Sequence, residues 1–438
     1  MIQKTDIIET LSDWNFWNHE HPDTYPRKKY EQHVLEKGLS GEIVILKGVR
    51  RCGKSTILIN LIKELIRKGT HPKNILFVNL EDPRFINDLS LNLLSQIRDT
   101  YLEYLNPDEI PFIFLDEIQT INKFEKWLLK EYELKRARLF VTGSNAKLLS
   151  REIGSSLTGR YLDEFIFPLS FQEFLVFKGL SITNPMEIIS HRIEINRYFD
   201  EYLFFGGFPK IVLTENHLLK KAELRAYFDS ILMRDIVTRY RLDNVSSLMG
   251  IAVYLMSSIA QALSVNAVKN HFKLSYDLVN RYIEYLENAF LIFRIPLFDW
   301  SLKKQQTNPK KIYAIDQGLS NIVSFNVGRR IGDRLENVVF LELLRRGFDI
   351  YYYKTKNNYE IDFVVKKNEQ IVQLIQVAAL LDEPKTKDRE IRSLEKASGE
   401  IPHAANAELI ILTQNIQESI HINNKIITIK DVTAWLLS

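Results

Sequence analysis

The segment GVRRCGKS at 48–55 satisfies G-x-x-x-x-G-K-[ST] in full, and no other stretch constrains the fold as strongly. It follows the apolar run EIVILKG (42–48) and precedes a stretch in which Ile57, Leu58, Leu61, Ile62, Leu65 and Ile66 recur at helical spacing. Strand, glycine-bearing turn and helix in that order form the context in which such a loop cradles phosphate. Four further apolar runs, NILFVNL (74–80), FIFLDE (112–117), RLFVTGS (138–144) and YLDEFIF (161–167), alternate with helical periodicity. Five strands separated by helices predict a parallel α/β sheet.

The chemistry expected of the loop follows from its residue types. Gly48 and Gly53 let the backbone turn its N–H groups inward around phosphate oxygens, through dihedrals that a Cβ would obstruct. Gly48, Arg51, Cys52, Gly53, Lys54, Ser55 and Thr56 are the expected nucleotide-binding positions. Lys54 offers a point charge to the β/γ-phosphates, Ser55 a hydroxyl to Mg²⁺, and the helix that begins there its positive dipole end. In a parallel sheet the carboxyl ends of neighbouring strands converge beside this loop. Asp116 is therefore expected to hold Mg²⁺, directly or through water, and Glu117 to polarise the attacking water. On the next strand, Thr142, Ser144 or Asn145 could hydrogen-bond the γ-phosphate or that water, or simply form the turn.

Composition bounds the remainder. At 438 residues, with 45% hydrophobic and 26% charged, the chain predicts about three globular domains. A net charge of +3 excludes a protein that coats nucleic acid through bulk charge. The single cysteine, Cys52, excludes an internal disulfide or a cysteine-rich zinc site and points to a reducing compartment. There is no run of about 18 apolar residues, and the charges scattered through MIQKTDIIETLSDWNFW do not suit a secretory leader, so the expectation is a cytoplasmic protein.

The expected domains are a P-loop core over 1–167, a helical lid over 168–245, a winged helix over 246–328 and an α/β domain over 329–438. The lid is inferred from helical periodicity interrupted only by GGFP (206–209). The winged helix rests on helical stretches at roughly 247–262, 265–272 and 276–289, followed by FLIFRIPLF and KKIYAID as strands around the polar loop SLKKQQTNPKK (301–311). The last domain begins with a helix near Arg334 and continues through DIYYYKT, EIDFVVKK, QIVQLIQVA, the charged helix DREIRSLEKA and a final strand ELIILTQ.

Taken together, GVRRCGKST, VNLEDPR (78–84), FIFLDEIQ (112–119), VTGSN (141–145), SLTGR (156–160), PLSFQEFL (168–175), YLFFGGFP (202–209), YFDSILMRDI (227–236) and LENVVFLELLRRG…YEIDFVV (335–365) resemble the archaeal and bacterial AAA-type P-loop ATPases. That resemblance covers nearly all of the chain after about residue 25. It implies an AAA+/STAND-like core joined to a C-terminal domain of unknown function with a winged helix and a restriction-endonuclease-like PD-(D/E)xK fold. It also implies that Arg160 matches an arginine finger of the kind that generally acts on a neighbouring subunit, and hence a possible homo-oligomer. The alternative is a surface arginine pairing Asp163 or Glu164. In the nuclease-like domain, Glu336 and Asp362 match the metal-binding carboxylates, but Gln376-Val377-Ala378 stands where (D/E)-x-K is required. An amide and a methyl group remove one metal ligand and the principal cation, which implies a degenerate site unless Lys366 reaches in.

DNA could be met by Tyr276, Asn280 and Arg281 on the second helix of the winged domain, where Glu284 and Glu287 would repel phosphate. It could also be met by the wing: Lys303, Lys304, Lys310, Lys311, Arg329, Arg330 and Arg334 against Asp299, Asp316 and Asp333 leave a local net of +4. Docking of a protein partner is the competing use. The expected function is hydrolysis of ATP with Mg²⁺, bound between core and lid, to switch how the later domains are presented to a partner. The alternatives are an ATP-controlled DNA nuclease and a non-hydrolysing nucleotide-gated adaptor.

Overall fold

The computed structural model describes residues 2–18, 21–145, 157–325, 331–381, 383–422 and 425–438. Ser156 of SLTGR, Arg329, Arg330 and the expected boundary at 328/329 lie outside the described residues. The chain forms two compact units, 1–167 with 288–290, and 168–287 with 291–438.

The first unit is built on five parallel strands, β1 (Ile43–Lys47), β2 (Ile75–Asn79), β3 (Phe112–Asp116), β4 (Arg138–Gly143) and β5 (Tyr161–Phe165), in the order β2-β3-β4-β1-β5. The first four are near-continuous apolar runs because both faces of the sheet are covered. On one face Ile43, Ile45, Leu76, Val78, Ile113, Leu115 and Val141 pack with α1 (Lys4–Trp14), α4 (Leu91–Leu105) and α5 (Phe124–Glu133). On the other, Phe140 stacks on Phe114 at 4.7 Å and lies so close to α2 (Lys28–Leu39) that a Cβ at Gly38 would stand 2.1 Å from its ring. The helix after the phosphate motif is α3 (Lys54–Arg67), whose Ile57, Leu58, Leu61, Ile62 and Leu65 are buried.

In the second unit residues 168–245 are helical: α6 (Phe171–Phe177), α7 (Pro185–Ser190), α8 (Arg192–Phe205), α9 (Pro209–Leu213) and α10 (His217–Ser230), which runs on into a π-helical segment, Ile231–Thr238. GGFP ends α8 through Gly206, whose φ of 76° suits glycine, and a Cβ there would meet Asp316 Oδ1 at 2.0 Å. Asp316 in turn accepts the Gly207 N–H at 2.7 Å.

The next stretch reads α11 (Val245–Met256), β6 (Gln261–Leu263), α12 (Val265–Phe272), α13 (Tyr276–Asn288), β7 (Ile292–Ile295), α14 (Leu302–Thr307) and β8 (Lys310–Ala314), with an antiparallel sheet in the order β6-β8-β7. The predicted helix 247–262 thus stops at Met256, whose carbonyl accepts the Ser320 hydroxyl, and 261–263 joins the sheet instead. The predicted loop 301–311 is largely a short helix that Ser301 caps.

The last elements are α15 (Gln317–Val323), α16 (Ile331–Arg345), β9 (Asp349–Lys354), β10 (Glu360–Lys367), β11 (Gln370–Val377), α17 (Pro384–Glu400), β12 (Glu408–Thr413), β13 (Glu418–Ile422), β14 (Lys425–Asp431) and α18 (Val432–Leu436). They make a mixed sheet, β13-β14-β12-β11-β10-β9. ELIILTQ is not its last strand. The hairpin β13–β14 follows, half-polar because it forms the edge, so it lacks the apolar run that marks the inner strands. The outer edge of β9 is covered by residues 296–298: Tyr352 donates to Pro296 O at 3.2 Å and accepts from Phe298 at 2.7 Å, and the Phe298 ring enters the hydrophobic core of this sheet.

Candidate functional site

The loop at 48–55 joins the carboxyl end of β1 to the amino end of α3. Two of its features require glycine. Gly53 adopts φ 103°, and a Cβ on Gly48 would stand 2.3 Å from the Ile166 carbonyl oxygen. Cys52 is buried and burial pushes its thiol up, so it serves through its backbone: its carbonyl accepts the Arg27 guanidinium at 3.1 Å, while Arg27 also reaches Phe167 O at 2.8 Å. Arg27 is a brace of the loop, itself buried, that no sequence motif announces. Arg51 is exposed with φ 67°, and Thr56 lies half-buried on α3.

Ser55 donates to Asp116 Oδ2 at 2.7 Å, and Thr142 on β4 donates to Asp116 Oδ1 at 2.6 Å. The same Thr142 oxygen accepts the Glu117 N–H at 2.8 Å. This matters because Glu117 sits in the left-handed region at φ 56°, unusual for a residue with a side chain. Lys54 lies 3.7 Å from Glu117 and donates to the loop's own carbonyls, Gly48 O at 3.1 Å and Val49 O at 3.2 Å. Gln119 bonds both Glu117 and Ser144, and Ser144 and Asn145 are buried at the end of β4. The structure therefore brings together Lys54, Ser55, Asp116, Glu117, Thr142 and Ser144 from the loop and the ends of two adjacent strands.

The two carboxylates differ in environment. Burial, and then the charge of Glu117, push the Asp116 carboxyl up to about 6 against the pull of its two hydroxyl donors. Burial also opposes ionisation of Glu117, but the Lys54 charge and the Gln119 amide outweigh it and hold that group below its ordinary value. A hydroxyl and a carboxylate oxygen side by side are the hard oxygen donors that Mg²⁺ takes, usually with waters and substrate phosphates rather than a protein cage. Among the described residues no group of three or more His, Cys, Asp or Glu is placed to hold a metal ion.

Arg160 is elsewhere. Its carbonyl accepts the Ile43 N–H, and Tyr161 pairs with Ile43, so it stands at the amino end of β1 while the phosphate loop leaves the carboxyl end. Five residues of strand separate the two edges by roughly 16 Å. Its guanidinium lies 3.4 Å from Glu133, not beside Asp163 or Glu164, which pair with Lys47 and Lys37.

A second polar centre lies in the other unit. The Lys311 ammonium stands 2.8 Å from Glu336, 2.8 Å from Glu360 and 3.0 Å from Asp362, and Tyr313 donates to Glu336 at 2.6 Å. Burial opposes the Lys311 charge, but Tyr313 and the three carboxylates hold it well above its ordinary value. Burial and the Asp362 charge push Glu336 up to about 8. The Gln376 amide is committed to Asp362 N, Glu360 O and Glu390. Lys366 does not enter this centre; it faces Glu369 and the Tyr351 ring.

Lys311 accordingly drops out of the expected basic wing. Lys304 pairs with Asp299 at 3.4 Å and Asp316 is buried, so among the described residues the basic excess at the surface is smaller than the count implies, while Arg329 and Arg330 lie outside them. The reason is strand alternation on β8, which turns Lys310 and Lys311 to opposite faces.

A profile of the AAA domain matches residues 40–175, and two domains of unknown function, DUF8612 and DUF4143, match 196–328 and 331–432. The uncharacterized protein MJ1544 of Methanocaldococcus jannaschii is 34% identical over 419 residues, 93% of this chain and 90% of that one. An uncharacterized protein of Haemophilus influenzae is 29% identical over 364 residues, 80% and 86% of the two chains. Among solved structures, the Walker-type ATPase PABY2304 of Pyrococcus abyssi is 14% identical, covers 69% of this chain and 96% of its own, and superposes with a TM-score of 0.41. With its phosphate loop, its parallel sheet and an AAA domain over 40–175, the chain is an AAA-type P-loop ATPase in kind, and it belongs to the same family as MJ1544, which it matches almost end to end.

Proposed function

We propose that this protein binds ATP with Mg²⁺ at the loop of 48–55 and hydrolyses it, and that the nucleotide state of the first unit governs what the second presents to a partner. The observation that carries the reading is the linked set Ser55–Asp116–Thr142 beside the Lys54–Glu117 pair. Ser55 and Asp116 would hold Mg²⁺, which when bound neutralises phosphate charge. Lys54, lodged on two loop carbonyls, would exchange them for phosphate oxygens. Glu117 would accept the proton of the attacking water, with Gln119 and Ser144 fixing its position. Gly48, Arg51, Cys52, Gly53 and Thr56 would contribute backbone, and Asn145 a buried amide at the strand end.

Arg160 would act only on a second copy of the chain, since its own loop is on the other edge of the sheet. The winged-helix reading of 246–328 is supported by the order α11-β6-α12-α13-β7-β8 with β8 central. A nuclease-like fold for the last domain is supported by Glu336 and Asp362 on neighbouring elements, and the loss of cleavage by Lys311 and Gln376 filling the space around them.

The test is thermal melting with ATP and Mg²⁺, and turnover. At ligand a thousandfold above its dissociation constant the native state gains about 4 kcal/mol, so wild type should melt higher and Lys54→Ala should not. Glu117→Gln should keep the shift and lose turnover by about 10²–10⁴. An equal shift in Lys54→Ala would refute the site, and a shift without turnover in wild type would leave a nucleotide-gated adaptor.

A further inference from the structure

Within the second unit, α12, α13, β7, β8 and residues 306–309 enclose a cavity of about 350 Å³. Its wall holds two cations, Arg294 and Lys310, and the neutral polar side chains of Ser264, Asn266, Tyr276, Asn280, Gln306, Thr307 and Asn308, over a floor that includes Leu263 and Ile283. No carboxylate lines it. The contrast with the roomier cleft of the first unit is informative. That cleft, about 610 Å³, also holds lysines and an arginine, but Glu31 and Glu64 line it too, and Arg67 and Lys68 pair with Glu64.

The cations of the smaller cavity differ in how they are satisfied. Arg294 forks onto Glu287 through Nε and Nη2. Lys310 pairs with Leu263 through the backbone of β8, but its ammonium has no hydrogen bond or salt bridge with a described residue, though the residue is half-buried. Burial and the nearby Arg294 hold its ammonium below the ordinary value against the weaker pull of Glu287, a carboxylate that Arg294 already engages. An ammonium left partly out of water, amid hydroxyl and amide donors and with no acid in the wall, is arranged for an anion. The apolar floor and the half-exposed Tyr276 ring suit a flat group attached to that anion.

We propose that this cavity takes one nucleotide unit of a nucleic-acid strand, its phosphate on Lys310 and Arg294 and its base against Tyr276 and the apolar floor. The adjoining rim continues the pattern. Arg281 follows Asn280 on α13, and Lys303 lies three residues before Gln306 on α14 and so shares its face; both are exposed, and neither has an ion pair with a described residue. They would meet the phosphates on either side. The proposal is compatible with the winged-helix reading but rests on the cavity, and it does not need the ATPase reading to hold.

The experiment uses the intact protein and fluorescein-labelled single-stranded and duplex oligonucleotides, with binding followed by anisotropy across a salt series. Wild type should bind with a slope set by the number of phosphates met, and Lys310→Met should weaken binding about tenfold and flatten the slope by about one contact. Lys310→Arg should restore most of it, while the melting shift with ATP and Mg²⁺ stays at the wild-type value in both variants. That last measurement separates a failed cavity from a failed nucleotide loop. Oligonucleotide binding that Lys310→Met leaves within twofold of wild type overturns the proposal. So does Lys310-dependent binding of adenosine monophosphate or inorganic phosphate without binding of either oligonucleotide, which would make the cavity a site for a free small anion.

Discussion

Thr142→Val tests the core of the candidate site without touching a group that would contact nucleotide. The substitution keeps the shape and removes one hydroxyl that makes two buried bonds, donating to Asp116 Oδ1 at 2.6 Å and accepting the Glu117 N–H at 2.8 Å. Each orphaned buried group costs about 1–3 kcal/mol, so roughly 2–5 kcal/mol of stability should be lost from a unit in which both partners have nowhere else to turn. Valine also frees the backbone of Glu117 from the bond that sustains its left-handed conformation, and its carboxylate should leave its place beside Lys54. Turnover should then fall with stability, while Thr142→Ser, which retains the hydroxyl, should stay within about 1 kcal/mol of wild type. Urea unfolding of the three proteins, read together with ATP turnover, measures both effects. A Thr142→Val midpoint within about 0.5 kcal/mol of wild type would refute the reasoning. So would a serine variant as damaged as the valine one.

Lys311→Met should cost about 3–5 kcal/mol because it strands buried carboxylates, whereas Lys310→Met should stay within ~0.5 kcal/mol; equal effects would mean that the β8 alternation is wrong. Asp316, buried between Gly207 and the start of α15, is pushed up to about 6 by burial, above its unfolded value. The folded protein therefore holds a proton there that the unfolded chain has released, and stability from this group should fall as pH rises from about 4 to 6, by up to about 3 kcal/mol. Asp316→Asn should remove that slope from urea midpoints, and an unchanged slope would exonerate the residue. If Arg160 serves a neighbouring copy, specific activity should rise with protein concentration, and mixing inactive Lys54→Ala with Arg160→Ala should restore part of the turnover; the finger is worth about 10³–10⁵ where it acts.

Much of this site is legible in the chain itself because its constraints are local. The glycines at 48 and 53 mark backbone that a Cβ would block, and an apolar run ending in Asp116-Glu117 marks a buried strand with two carboxylates at its mouth. What escapes is set by contacts far apart in sequence. Arg27 reaches Cys52 and Phe167 from a stretch with no motif, and Thr142 reads as a possible phosphate ligand although its hydroxyl is committed to Asp116. Helix α1 carries Ile7 and Leu11 four residues apart, enough to reveal an amphipathic segment, but the strands those residues cover lie far along the chain. Lys310 and Lys311 look alike as a dipeptide, and only the pairing of β8 separates a surface cation from a buried one.

The Lys311 cluster bears on how the protein can be dissected. A fragment beginning at residue 331 would hold the whole six-stranded sheet, yet it would lack the ammonium that balances Glu336 and Asp362. It would also lose residues 296–298, leaving the β9 edge open and removing Phe298 from the core. Such a fragment should express poorly or pair through its bare edge, and one that begins before β7 should not. The smallest autonomous piece of the C-terminal half is therefore longer than the match of DUF4143 to residues 331–432 suggests, because its counter-charge comes from β8 and its edge cover from the residues just after β7.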